Sequence, residues 1–399
     1  MPHSPPSGTQ RWRLLRRVRP SYLILLFAVP LTVYLFVTVD DYRAAFTFIA
    51  PGLWTTVQVT VIAYLLAAVL GLGLAGLLLL RSGRMTLSVF LILALLLAGA
   101  GVYYLTRPQV DYLLVGQPDG LVAIIQGTPQ ARSETIQRGR YVQGAEPRNI
   151  RSVVDVEGAL QRLESGVVGA AFLPAASAPP GAPVLWETSF LPPSAKGPGL
   201  ALAVFSGIVL MLTFAGWQSG NHPLAIFAEL YVDMIRGIPM LVIILYIGFP
   251  IQGAVRDFSG GFLEPSRLSR GIIAIGLGYA AYMAEIFRAG IQAVGRGQKE
   301  AARSLGLSGW QTARYIVLPQ ALRIVIPPLG NEFIAMLKDT SLLSLLSLRE
   351  ITQRTREFAA DTFEYFPAFN SVALLYIGLT LAASSLLKSV ERRAGRSSH

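Results

Sequence analysis

The sequence predicts an all-α polytopic membrane protein of about eight transmembrane helices, carrying a small extracytoplasmic α/β insert. Three observations predict it. Of 399 residues, 53% are hydrophobic and only 14% charged, a balance that suits lipid better than water as solvent. Several apolar runs reach the ~20 residues that a helix needs to cross a bilayer core. The basic residues, which give a formal charge of +11, cluster beside those runs.

The expected spans are residues 22–39, 53–80, 86–105, 200–217, 240–251, 271–291, 324–346 and 369–387. The fifth is short, and the amphipathic stretch 223–239 lets the chain enter the interface before it. Arg11, Arg13, Arg16, Arg17 and Arg19 precede the first span, while Lys388, Arg392, Arg393 and Arg396 follow the last. Positive charge stays on the cytoplasmic side, so residues 1–21 and 388–399 are expected there, as are the link 81–84 and the long basic segment 293–323. The first span is long enough to be retained and has no clear small-residue cleavage site after it.

The same walk places residues 107–199 outside, between a first membrane part (22–106) and a second (200–387). That segment is too long for a plain loop. Apolar runs at 112–115 and 121–125 read as strands, and 156–163 has helical spacing. Gly166 and an apolar strand at 167–173 follow, then a Pro/Ala-rich break at 174–183 and a linker holding Pro192, Pro193 and Pro198.

Composition also excludes function classes. There is no cysteine, so disulfides, thiol nucleophiles and Cys-based zinc sites are out. The three histidines, His3, His222 and His399, are scattered, and no metal site is expected. The basic clusters lack a nucleic-acid motif and flank apolar helices, so no nucleic-acid partner is expected. No G-x-x-x-x-G-K-[ST] string occurs, so nucleotide chemistry must belong to another chain.

The most specific feature lies in 293–323. Glu300, Ala301 and Ala302 are followed by Gly306, then by Ile316, Leu318 and Pro319. Local chemistry predicts two short helices. One ends near Leu305 with Gly306 as a left-handed terminator. The other starts at Ser308, which forms an S-x-x-Q capping box with Gln311, and runs until Pro319. A helix-turn-helix rich in small residues and carrying Leu305 and Trp310 suits docking into a partner's groove; an ordinary interfacial loop is the alternative.

These residues resemble the E-A-A-x3-G-x9-I-x-L-P signature of ABC importer permeases, matched at every defined position. Residues 279–298, 318–322, 337–342, 231–241 and 52–60 are similar to the subfamily that imports polar amino acids, including members with extra spans and an insert. The resemblance implies a permease subunit in the inner membrane, and not an enzyme. Its partners would be a dimer of ATP-binding cassette ATPases, a second permease subunit (identical or different), an extracytoplasmic solute-binding protein, an amino-acid substrate and membrane lipid. The helix with Glu300 and Gly306 would couple this chain to ATP hydrolysis, ATP being used by the partner and no cofactor bound here. Importers of other small polar solutes share the signature, and bare hydropathy also permits an ion-coupled carrier using Glu285 and Asp339.

Polar residues inside spans are the candidate substrate path. Glu285, Arg288 and Gln292 share one face of the sixth span; Glu285 could pair an ammonium and Arg288 grip a carboxylate, or the two could simply neutralise each other. On the seventh, Asn331, Glu332, Lys338, Asp339, Thr340 and Ser341 interrupt an apolar segment, and either a path or a structural Lys338–Asp339 network accounts for them. Gly71, Gly73 and Gly76 are expected at close helix contacts. The run 153–173 faintly resembles a lobe of a periplasmic binding protein; the insert would touch the solute-binding protein, gate entry, or serve as a structural cap.

Overall fold

The structure is a computed structural model that describes Tyr34, residues 38–258 and residues 262–396. The chain divides into two compact units, residues 81–226 and the remainder on either side. The expected first span, 22–39, lies outside the described residues apart from Tyr34, Thr38 and Val39.

In the first unit, helices α1 (Asp40–Ile49) and α2 (Gly52–Leu78) run almost continuously. In the second, α3 (Arg84–Leu105) leads into five strands, β1 (Val110–Gly116), β2 (Val122–Ile125), β3 (Ile150–Val153), β4 (Ala170–Pro174) and β5 (Val184–Phe190). Helices α4 (Gln130–Gln137) and α5 (Val156–Glu164) interleave with them, and α6 (Pro193–Ser219) returns beside α3.

The sheet order is β3-β2-β4-β1-β5; β2 is parallel to β3 and β4, and β1 is antiparallel to β4 and β5. Period-two alternation divides its side chains between two cores. Tyr112, Leu114, Val122, Ile124 and Phe172 meet Ile136 of α4 on one face, while Val115, Ala123, Val153 and Leu173 meet Ala159 of α5 on the other. Buried Arg148 ties the β1–β2 turn, donating to the carbonyls of Gln117 (3.1 Å), Gly120 (3.3 Å) and Asp119. The insert is therefore a complete two-sided layer structure. The expected strand at 167–173 starts only at Ala170, because Val167 and Val168 still bond back to Arg162.

Helices α3 and α6 approach closely: a Cβ on Gly101 would lie 3.2 Å from Ala203 N, and Ser206 Oγ donates to the Ala94 carbonyl at 2.8 Å. Small residues and a hydroxyl are how helices associate where water cannot drive them together. The expected linker holding Pro192, Pro193 and Pro198 is already helix from Pro193 onward. Pro193 occupies the first turn, where its missing N–H costs nothing, and Pro198 forfeits a single bond near the start.

The first unit continues with α7 (Pro223–Gly237), α8 (Met240–Tyr246), α9 (Gln252–Phe258), α10 (Arg267–Ala293), α11 (Arg296–Ser304), α12 (Gly309–Thr312), α13 (Leu318–Asp339), α14 (Ile351–Thr362) and α15 (Tyr365–Arg396). Its main core joins Val59 and Ala63 of α2, Ile243 and Ile244 of α8, Ile275 and Met283 of α10, Met336 of α13 and Leu343. Gly71 lets α2 lie on α10, since a Cβ there would stand 2.7 Å from Met283 Cβ. Among the described residues nothing lies within 4 Å of such a Cβ at Gly73 or Gly76.

Among the described residues five helices are long and apolar enough to cross a membrane, or six if α7 and α8–α9, bent by 107°, count as one broken span. The helix under the expected span 324–346 is not among them. It begins at Leu318, ends at Asp339 and is diluted by Arg323, Pro327, Pro328, Glu332 and Lys338.

Candidate functional site

The segment between α10 and α13 is built from local signals. Helix α11 ends on Gly306 at φ +81°, with Gly306 N–H donating to the Arg303 carbonyl (2.9 Å) and Leu307 N–H to Ala302 (3.1 Å). These bonds satisfy carbonyls that a helix end leaves open, and they require the left-handed residue. Ser308 and Gln311 then form both halves of the capping box, at 3.2 and 2.8 Å.

The helix does not stop at Pro319. A π-turn over Ala313–Val317 resets the bonding, Pro319 enters the first turn of α13, and the Gln320 amide takes up the Ile316 carbonyl at 2.9 Å. Of the motif residues only Ala302 is buried; Ile316 is half-buried, and Glu300, Ala301, Gly306, Leu318 and Pro319 are exposed. Leu305 is 82% exposed and Trp310 73%, so two large apolar side chains project from a turn whose backbone is fixed. Lys299 Nζ donates to the Ile291 carbonyl (3.2 Å), anchoring α11 to the end of α10.

The polar positions within the helices fall into separate groups. On α10, Arg288 Nη2 donates to Glu285 Oε2 at 2.7 Å, while Arg288 Nε is buried without a hydrogen-bond partner among the described residues. Gln292 is exposed. One turn up the same helix, Tyr282 lies under the Arg236 guanidinium of α7 at 5.8 Å.

On α13, Asp339 accepts a hydrogen bond from Tyr279 of α10 at 2.9 Å, and among the described residues no salt bridge joins it to Lys338. Asn331 and Lys338, seven residues apart and so on one face, are both exposed, and Thr340 is buried, its hydroxyl donating to the Leu337 carbonyl at 2.7 Å. No hydrogen bond among the described residues joins Glu285 or Arg288 to these α13 positions. Tyr279 and Arg236 escape a reading of sequence spacing, because their partners lie on other helices.

No group of three or more His, Cys, Asp or Glu that could hold a metal occurs among the described residues. The arrangement is a helical one, with a polar face on α10 and an exposed turn of fixed backbone between α10 and α13.

Residues 199–396 match the family described as binding-protein-dependent transport system inner membrane component. The chain is 35% identical over 195 residues to the glutamine transport system permease protein GlnP of Escherichia coli (strain K12), covering 49% of this chain and 84% of that one. It is 33% identical over 224 residues to the arginine ABC transporter permease protein ArtQ of the same organism, covering 51% and 94%. A solved structure titled as an amino acid ABC transporter with histidines shares 37% identity over 47% of this chain and 85% of that one, with a TM-score of 0.39. The chain belongs to this family of inner membrane components, among its amino-acid ABC permeases.

Proposed function

We propose that this chain forms the translocation path for amino acids in an ATP-driven importer, and that α11, Gly306 and α12 dock on a partner ATPase. The observation that carries the reading is the exposed pair Leu305 and Trp310 on a turn fixed by Gly306 and the Ser308–Gln311 box. A rigid turn offering apolar side chains is what a groove on a moving partner can push. In this reading both termini and residues 293–323 are cytoplasmic and the insert is extracytoplasmic. A second permease subunit and a solute-binding protein complete the assembly, and Glu285, Arg288, Asn331, Lys338, Asp339 and Thr340 lie along the path.

The absence of native cysteine makes a direct test clean. Leu305→Cys is expected to form a disulfide cross-link with single cysteines placed in the helical groove of the co-assembled ATPase. ATP binding should change its yield. Labelling of Leu305→Cys by an impermeant maleimide from the outside of intact cells would contradict the reading.

A further inference from the structure

Glu350 is a carboxylate with 0% exposure in a part of the fold that transport does not by itself explain. It precedes α14 and caps that helix: Oε1 accepts from Gln353 N–H (2.7 Å) and Oε2 from Thr352 N–H (2.8 Å). Tyr376 of α15 donates to Oε2 at 3.1 Å, and its hydroxyl also lies 3.1 Å from Thr352 Oγ1, where either oxygen can be the donor. From the other side, Ile351 N–H reaches Thr56 Oγ1 of α2 at 3.4 Å. A Cβ on Gly52 would stand 2.7 Å from Ile351 N, so α2 begins with its backbone against that of α14.

None of the charged neighbours bonds to the Glu350 carboxylate among the described residues, although Arg354 Nε is buried there without a partner. Arg349 pairs with Glu357 at 2.8 Å, and Arg354 gives a hydrogen bond to the Phe48 carbonyl at 3.2 Å. Asp40 and Arg43 of α1 line, with Arg354, the adjoining cleft. From α2 the neutral Thr56 reaches this node, the neutral Thr340 side chain faces Tyr376, and Tyr376 is the titratable group from α15. Glu350 is thus a buried acid held by two amides and a phenol, with no cation among its hydrogen-bond partners in the described residues.

We propose that Glu350, Tyr376 and Thr352 form a protonation switch that sets how firmly the first turn of α14 is held against α2 and α15. The geometry accommodates both states. As a carboxylate, Glu350 accepts from Tyr376, whose oxygen accepts from Thr352. When Oε2 takes a proton from water, its new O–H donates to Tyr376, the Tyr376 hydroxyl turns to donate to Thr352 Oγ1, and the Thr352 O–H rotates away from Tyr376. The chain of bonds reverses without moving a heavy atom, but only the carboxylate form buries a charge with no cation bonded to it among the described residues.

Burial pushes the Glu350 carboxyl up to about 7, against an ordinary value of 4.5. For an acid raised on folding, the stabilisation is complete below the ordinary carboxylate range and is lost as pH rises through about 7. The packed node is therefore tight in acid and loosens above neutrality.

The test uses the full chain in lipid. Infrared difference spectra of wild type against Glu350→Gln should show a protonated-carboxyl band that disappears as pH rises through about 7. Amide exchange in the first turn of α14, corrected for intrinsic pH dependence, should rise at least ~3-fold between about pH 5.5 and pH 8.5 and stay flat in Glu350→Gln. If Glu350→Gln does not reach the membrane, Tyr376→Phe removes the reversing hydroxyl and should blunt the same response. A carboxyl ionised throughout that range, or a titration that leaves α14 exchange unchanged, would overturn the proposal whether or not the chain transports.

Discussion

Gly306→Val is expected to abolish most ATP-driven uptake, by roughly tenfold or more, while leaving the chain inserted at normal abundance. The reason is backbone conformation. Gly306 sits at φ +81°, and a β-branched residue there costs at least ~1–2 kcal/mol and breaks the two bonds that end α11. A Cβ at this position meets nothing within 4 Å, so the strain stays in the turn and no packing contact is lost. Gly306→Asn separates two requirements, since asparagine tolerates the left-handed region. If only the turn matters, this variant transports normally. If a docked ATPase leaves no room, uptake falls while the isolated subunit is unchanged. Uptake and ATPase rates in proteoliposomes, normalised to inserted protein, decide this; normal uptake in the valine variant would remove the coupling role.

The second large effect is expected at Glu285 and Arg288. Their 2.7 Å contact satisfies a self-neutralising pair, yet the guanidinium keeps a buried Nε with no partner. A fork with unused donors can accept a substrate carboxylate. Each single alanine substitution is expected to lower uptake about tenfold, a loss of about 1.4 kcal/mol of stabilisation. The double substitution discriminates between the two roles. A pair that only neutralises itself regains function when both charges go, whereas a pair that holds substrate leaves the double variant as inactive as the singles, with a raised KM. Recovery of uptake in the double variant would take these residues out of the path.

The turn around Gly306 was legible because its signals are local: a glycine after a helix, and a serine with glutamine three residues on. Strands β1 and β2 were equally plain as short apolar runs. Strands β3 and β5 were not, because Ile150–Val153 and Val184–Phe190 lie at the sheet's two edges and are half polar. Helix α4 buries only Ile136 and owes its place to the sheet beneath it. Continuation through Pro319 depends on a π-turn and on the Gln320 side chain, a combination that helix-breaker rules do not contain. The polar face of α10 was visible from spacing. Its link to α13 through Tyr279 and Asp339 was not, since sixty residues separate them. Glu350 left only a helix cap's local mark, because two of its donors are the next amides, Thr352 N–H and Gln353 N–H, while the third, the Tyr376 hydroxyl, comes from α15.

The measurement that tests the central claim most directly is accumulation of labelled amino acids in proteoliposomes holding this chain with its ATPase, partner permease and solute-binding protein. Accumulation that requires ATP, and that Gly306→Val removes, is the predicted result. Accumulation without ATP that follows an imposed ion gradient would contradict it and make the chain a carrier.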